Sequence, residues 1–272
     1  MPDQTEQSIA DSLGVDRQLL PYIPFLLQDL WALGSSVDYI IDVVGSLNLP
    51  PAQTKLLDLG CGKGAVSIQI ASKFRHRVVG VDRMTAFLED ARQKASEYHV
   101  SRLCEFINQD IMEFVSTEHE FDLVILASLG GIFGTLKNTV AQLRTQVRPG
   151  GYMLIDDGYL RKAGSLKRKG YEHYKNHEDT IKELTAFGDL VLQEINTTDV
   201  SLKINDEYMS SIEKRAKQLV AQHPELENDI NAYIQLQAEE CDVIHNQIEG
   251  ALWLLQKGMN NDRIESKTIR QP

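Results

Sequence analysis

The sequence predicts an α/β fold. It reads as a doubly wound, mostly parallel seven-stranded Rossmann-like sheet with N-terminal helices and a helical cap between the last two strands. Three observations point there. From Lys55 onward, short apolar runs alternate with helical stripes, the pattern of parallel strands joined by crossover helices. A glycine-rich loop, Gly60-Cys61-Gly62-Lys63-Gly64, follows the first run directly, at the strand end where such sheets place ligands. Late in the chain two long helical stretches separated by Pro224 interrupt the alternation, as a lid built on a connection does.

Residues 1–50 read as mainly helical, with a break around Gly34-Ser35-Ser36. The first strand is Lys55–Leu59 and the second Arg77–Val81, followed by Cys104–Ile107, Phe121–Leu126 and Gly151–Ile155. Met84, Phe87, Leu88, Ala91, Ala95 and Tyr98 fall on one helical stripe between strands two and three. Leu136, Val140, Leu143 and Val147 fall on another, stopped by Pro149-Gly150-Gly151. A sixth strand follows at Leu190–Ile195, then helices over Asp206–His223 and Leu226–Gln247. Gly250 and the dense apolar run over Ile248–Leu255 favour a last strand over a continued helix. The expected divisions are a helical segment over 1–50, a core over 51–199, a cap over 200–247, and a last strand with tail over 248–272.

Composition excludes several classes. The chain has 272 residues, 42% hydrophobic and 25% charged, ordinary for a globular protein with a sizeable core. A formal charge of −11 repels a phosphate backbone and argues against nucleic-acid binding. No run reaches the ~18 apolar residues of a membrane helix; Leu19–Leu33 comes nearest but holds Pro21, Pro24, Gln28 and Asp29. The polar start, Met-Pro-Asp-Gln-Thr-Glu, does not resemble a secretory signal, so a cytoplasmic protein is expected. Cys61, Cys104 and Cys241 form no C-x-x-C pair, which argues against disulfides and zinc. His173 and His177 have i, i+4 spacing without further ligands nearby and read as surface histidines; no metal is expected.

The glycines alone leave the ligand open. Gly60-x-Gly62-x-x-Ala65 satisfies a relaxed dinucleotide fingerprint, and Asp82 lies near the distance of its ribose-binding acid. Asp58, two residues before Gly60, distinguishes the cases. A carboxylate there opposes a pyrophosphate on a helix N-terminus and suits an ammonium or sulfonium. It also serves simply to fix the loop through backbone N–H groups.

Four ordered motifs together resemble the class I S-adenosylmethionine-dependent methyltransferases, over about Lys55 to Lys257. Leu57-Asp58-Leu59-Gly60-Cys61-Gly62-Lys63-Gly64 is similar to that family's first motif. Val78-Val79-Gly80-Val81-Asp82 resembles its second strand, ending in the acid that takes both ribose hydroxyls. Asn108-Gln109-Asp110-Ile111 resembles the segment that meets adenine, through the Asp110 carboxylate and the next backbone N–H. Arg148-Pro149-Gly150-Gly151 resembles the turn into the fifth strand. The resemblance implies S-adenosylmethionine as cofactor, touched by Asp58, Gly60, Cys61, Gly62, Asp82, Arg83, Asp110, Ile111 and Ser128. Taken singly, Asp82 and Asp110 are equally good helix N-caps. Cys61 reads as a small loop residue, since no base stands beside it. The rival readings are an NAD-dependent oxidoreductase, which tolerates Asp58 poorly, and a non-catalytic S-adenosylmethionine-binding module.

The acceptor side carries less signal. Leu126-Ala127-Ser128-Leu129-Gly130-Gly131 lacks the Asn/Asp-Pro-Pro-aromatic pattern of many enzymes that methylate amino groups of nucleic acids and proteins, and no Pro-Cys nucleophile is present. A small-molecule acceptor is therefore expected. Gly130, Gly131 and Gly134 read as a wall beside the transferred methyl or as a connecting turn. Asp156-Asp157-Gly158-Tyr159 follows the fifth strand; Asp157 and Tyr159 are the catalytic candidates, able to orient or deprotonate an acceptor. The same residues also build turns. Arg161-Lys162 and Lys167-Arg168-Lys169 read as a solvated loop, or as a contact to an anionic acceptor or RNA. Apolar cap positions such as Tyr208, Ile212 and Tyr233, met across the cleft by Phe25, Trp31 and Tyr39, suggest an acceptor with apolar surface.

Overall fold

The computed structural model describes residues 10, 14–168 and 170–259; the polar start of the chain, Lys169 and the end of the tail lie outside them. Seven strands form one sheet: β1 (Lys55–Leu59), β2 (Arg77–Asp82), β3 (Cys104–Asn108), β4 (Phe121–Ala127), β5 (Val147–Leu160), β6 (Leu190–Asn196) and β7 (Ile248–Gln256). Their order is β3-β2-β1-β4-β5-β7-β6. The first five run parallel to one another, and β7 runs antiparallel to both β5 and β6.

Alternation along each strand sorts side chains to two faces. Leu56, Ile125, Leu154, Leu252 and Leu254 pack on one face against α2 (Val37–Ser46), α3 (Ala65–Phe74) and α4 (Thr85–Glu97); α1 is the short turn Ile23–Leu26. Leu57, Leu59, Val124, Ile155 and Trp253 pack on the other against α5 (Ile111–Phe114), α6 (Leu136–Gln146) and α7 (His177–Leu184). Two long helices, α8 (Thr198–Gln222) and α9 (Glu227–Gln247), lie between β6 and β7, the helical insertion that the sequence predicts. Their apolar stripe, with Ile212, Leu219, Ile230 and Tyr233, packs on Leu19, Ile23, Leu26 and Leu27 of the N-terminal turns. Arg215 and Lys214 of α8 clasp Asp29 there, and the Arg215 guanidinium lies over the Phe25 ring.

The structure corrects several local expectations. β5 does not stop at Ile155: antiparallel pairing with β7 continues from Tyr152 to Leu160, so Asp156, Asp157 and Tyr159 lie within a strand rather than in a turn after it. Val147 opens that strand instead of closing the α6 stripe, because it pairs with Phe121 of β4. The cap helix starts at Thr198, not Asp206, where Thr197 and Ser201 cross β7 over Gly250. The polar run Thr197–Lys203 hid that start. Phe25 meets the cap, but Trp31 turns to the glycine loop and to Tyr98, and Tyr39 is exposed. His173 shares no helix with His177, since α7 begins at His177 with Asn176 as its N-cap.

Candidate functional site

Strand order reverses between β1 and β4, so a crevice opens at their carboxyl ends, the place where open α/β sheets bind ligands. The loop from Gly60 to Gly64 crosses that point and leads into α3. Gly60 has φ +69°, a left-handed conformation that disfavours a side chain, and a Cβ there would lie 2.3 Å from Leu129 Cδ1.

Two carboxylates shape the loop. Asp82, at the end of β2, accepts the Gly62 N–H with Oδ2 at 2.9 Å and the Met84 N–H with Oδ1 at 2.8 Å. Burial raises its pKa while those two backbone donors hold it down. Asp58 is 2% exposed at the core end of β1, and the Ser67 hydroxyl donates to it at 2.6 Å. Burial pushes Asp58 up to about 7 against that hydrogen bond, and the Asp82 charge adds to the rise. Cys61 is buried beside both acids, and burial drives its thiol far above its ordinary range, which makes it inert as a nucleophile.

Asp110 caps α5 by accepting the Met112 N–H at 2.8 Å, and its second oxygen pairs with Arg83 Nη1 at 3.1 Å. Ile111 follows as the first residue of that helix, its side chain buried in the core. Thus Asp58, Asp82, Arg83, Asp110 and the loop glycines gather at the ends of β1, β2 and β3. Ser128 follows β4 at φ +56°, its N–H donating to the Asp156 carbonyl at 3.0 Å. For a non-glycine residue that conformation costs ~1–3 kcal/mol and marks candidate ligand sites.

The set fits a cationic ligand better than a pyrophosphate. The Gly62 N–H, which a phosphate would use, is already taken by Asp82, and the loop carries carboxylates where a phosphate needs donors. Each carboxylate has about four lone-pair sites, so Asp82 and Asp110 retain acceptor capacity for ribose hydroxyls and an adenine amino group.

Sequence reasoning missed the residues that cover this loop. Leu129 lies over Gly60 and Leu33 over Gly62. Trp31 Nε1 donates to the Lys63 carbonyl at 3.0 Å, and Lys63 Nζ donates to the Leu27 carbonyl at 2.9 Å. These contacts join residues some thirty positions apart, and no local periodicity signals them.

On the acceptor side, the last residues of β5 project past the end of β4, whose final pair is Ala127 with Asp156. Asp156 and Asp157 face opposite sides of the sheet. Asp156 accepts both the N–H and the hydroxyl of Ser36, at 2.9 and 2.7 Å. Asp157 accepts the Tyr174 hydroxyl at 2.5 Å. Burial raises Asp157 to about 7, opposed by the Tyr174 hydrogen bond. Tyr159 shares the face of Asp157 but donates to Glu249 Oε2 at 2.8 Å and meets the edge of His177. The two catalytic candidates therefore keep separate hydrogen-bond partners. His173 is not on the surface as expected: its side chain is 7% exposed and lies under Gly131. Arg168 is likewise not merely solvated; it donates to the Leu236 carbonyl of α9 and pairs with Glu239 and Glu240.

A pH effect follows from Asp58. Its folded-state pKa of about 7 lies above the ordinary 3.8, so the unfolded chain loses this proton first as pH rises. Its stabilising contribution is complete below the ordinary value and is lost as pH climbs through the folded value. Urea unfolding should show Asp58→Asn to be less sensitive to pH between about 4 and 7 than the wild type, by an amount of order 1–3 kcal/mol. Identical pH profiles would refute the buried, proton-retaining Asp58.

Comparison with known proteins shows which family the chain resembles. Residues 51–222 match the model of a family described as a methyltransferase domain. Malonyl-[acyl-carrier protein] O-methyltransferase of Priestia megaterium is 31% identical over 111 residues, 40% of this chain and 39% of that one. Phosphoethanolamine N-methyltransferase 1 of Arabidopsis thaliana is 28% identical over 177 residues, 64% of this chain and 34% of that one. The chain spans about two fifths, 39% to 43%, of the length of the first curated relatives it matches. Among solved structures, an S-adenosylmethionine-dependent methyltransferase of Geobacter sulfurreducens in complex with S-adenosyl-L-homocysteine superposes with a TM-score of 0.74. That match has 17% identity and covers 86% of this chain and 97% of the other. It supports the shared fold.

Proposed function

The chain belongs to the methyltransferase-domain family, and on that premise we propose that it is an S-adenosylmethionine-dependent methyltransferase acting on a small-molecule acceptor by in-line displacement. The observation that carries the reading is the Asp82 carboxylate at the tip of β2, holding the Gly62 N–H of a loop backed by the buried Asp58. That arrangement presents negative charge and bare main chain to a ligand with a sulfonium and a ribose. Asp58, Gly60, Cys61, Gly62, Asp82 and Arg83 would line one half of the cleft, and Asp110, Ile111 and Ser128 its adenine end and floor.

The bound cofactor supplies an electrophilic methyl, so the protein's work is alignment, exclusion of water and handling of the acceptor's proton. The relatives include a malonyl-[acyl-carrier protein] O-methyltransferase and phosphoethanolamine N-methyltransferases, which is consistent with a small or carrier-bound acceptor. The net charge of −11 disfavours a nucleic-acid substrate. Among the described residues no helix is long and apolar enough to cross a membrane, and no group of three or more potential metal ligands is gathered.

Isothermal titration tests the reading. S-adenosylmethionine and S-adenosylhomocysteine should bind at about micromolar to millimolar concentrations, the range of enzyme ligands, and NAD should give no heat. Binding of NAD with no response to either sulfur ligand would reverse the assignment.

A further inference from the structure

We propose that His173 takes the proton of the acceptor's nucleophile, with Asp157 as its positioning residue, an inference that rests on the methyl-transfer reading above. The geometry comes first. His173 is buried beneath the loop that follows β4, so close that a Cβ on Gly131 would lie 2.4 Å from its Nδ1. Its side chain is 7% exposed, yet Nε2 has no hydrogen-bond partner. That nitrogen stands 4.0 Å from Asp157 Oδ2, while Asp157 Oδ1 takes the Tyr174 hydroxyl. The Tyr174 ring lies 4.2 Å from the imidazole, centre to centre.

Leaving a buried polar atom unpaired is costly, and most buried polar atoms find partners. Here the unpaired atom is an imidazole nitrogen 4.0 Å from the Asp157 carboxylate, near enough for that carboxylate to favour an imidazolium formed when the ring takes a proton. With its proton on Nδ1, the neutral ring would offer the unpartnered Nε2 as its acceptor nitrogen.

The position relative to the methyl follows from the intervening loop. Leu129 covers Gly60, and Gly131, two residues on, covers His173. The imidazole and the glycine loop of β1 are thus the two neighbours of one short segment. Gly130 sits in this segment at φ +48°, and the segment would have to shift when a ligand takes the place of Leu129. That shift would open Nε2 toward the acceptor. The nucleophile's proton then passes to Nε2 while its electron pair forms the bond to the methyl carbon. The carbon–sulfur electron pair stays on sulfur. The imidazolium so formed stands beside Asp157.

The groups that face the ring are Asp157 from β5, Tyr174 and Glu172 from its own segment, and Glu183 from α7. Burial lowers the His173 pKa, and the Gly170 backbone with the charges of Glu172 and Glu183 opposes it. Burial therefore favours the neutral form of the ring, the form that can accept a proton.

The test uses the full chain with S-adenosylmethionine and a panel of phenols, thiols, carboxylic acids and amines, reading release of S-adenosylhomocysteine. With any panel member that is turned over, His173→Asn should lower kcat by about 10²–10⁴-fold with S-adenosylhomocysteine affinity unchanged. The acid limb of the kcat–pH profile should vanish, and Asp157→Asn should shift that limb with a smaller loss. His173→Gln serves if the Asn variant fails to fold. Wild-type kcat and an intact acid limb in a folded variant overturn the proposal. If no panel member reacts, nitrogen-15 spectra of the histidine ring decide. Nε2 unprotonated at neutral pH, titrating below about pH 7 and displaced by Asp157→Asn, supports the role; a proton fixed on Nε2 or a ring that never titrates overturns it. Failure of the wild type to bind S-adenosylhomocysteine would instead remove the underlying methyl-transfer reading.

Discussion

Asp82→Ala is expected to weaken S-adenosylhomocysteine binding by roughly 10²–10⁴-fold. Two ribose hydroxyls donating to the Asp82 carboxylate, as proposed, would account for this, since a hydrogen bond to a charged group contributes ~1.5–3 kcal/mol. The structure adds a second consequence. Asp82 also accepts the Gly62 and Met84 N–H groups, so the variant loses the clamp that shapes the glycine loop and the turn into α4. Asp82→Asn separates the two effects: its amide oxygen still accepts one backbone N–H, but the charge and one acceptor oxygen are gone. Calorimetry should rank affinity as wild type, then Asn, then Ala, while thermal unfolding reports the loss of the clamp alone. Unchanged affinity in the Ala variant would remove Asp82 from the cofactor site.

Arg144→Met is expected to destabilise the fold by about 3–5 kcal/mol, the cost of leaving a buried carboxylate without its ion-pair partner. Asp189 is fully buried, pairs with Arg144 and accepts the Gly258 N–H at 3.0 Å. Its second oxygen has no hydrogen bond. Lys257 Nζ reinforces the same corner by donating to the carbonyls of Arg144 and Val147 at 2.6 and 2.7 Å. Together they tie the end of α6 to the turns before β6 and after β7, at the sheet edge opposite the cleft. The double variant Arg144→Leu/Asp189→Leu should recover much of the loss, because both charges leave together. Ligand affinity should be untouched in each variant that folds. Chemical denaturation giving equal losses for the single and double variants would contradict a buried pair and point to packing alone.

The parts of the fold read from sequence are those governed by short-range pattern. Alternating apolar strands and the stripe of Phe87, Leu88, Ala91 and Ala95 are local, and those side chains are buried as a core-facing stripe requires. Leu252 and Leu254 face one side of the sheet and Ala251, Trp253 and Leu255 the other, which is why that run reads as a strand. The misreadings lie where distant partners decide. Asp156-Asp157-Gly158-Tyr159 has turn composition, but β7 pairs with it residue by residue. Gly158 is there because a Cβ would lie 2.6 Å from the Glu249 carbonyl oxygen, not because the chain turns. Thr197–Lys203 lacks an apolar stripe, so the start of α8 is set by its crossing of β7 at Gly250.

The candidate site divides along the same line. The loop glycines, Asp58, Asp82 and Asp110 stand at the ends of three strands in order, and the family resemblance of those motifs singles them out. Trp31, Leu33 and Leu129, which cover the loop, reach it from separate segments. His173 and Tyr174 become neighbours of Asp157 only through the long excursion between β5 and α7. Their sequence context, rich in Lys, Gly and Tyr, resembles any exposed loop.

Methyl transfer itself is tested most directly by isotope. The protein is incubated with S-adenosylmethionine labelled at the methyl carbon and with a protein-free extract of small metabolites, then resolved by mass spectrometry. The account predicts label in a discrete small molecule and an equal amount of unlabelled S-adenosylhomocysteine, both abolished by Asp82→Ala. Label that stays entirely on S-adenosylmethionine, in a protein shown to bind it, would contradict catalysis and leave a binding module.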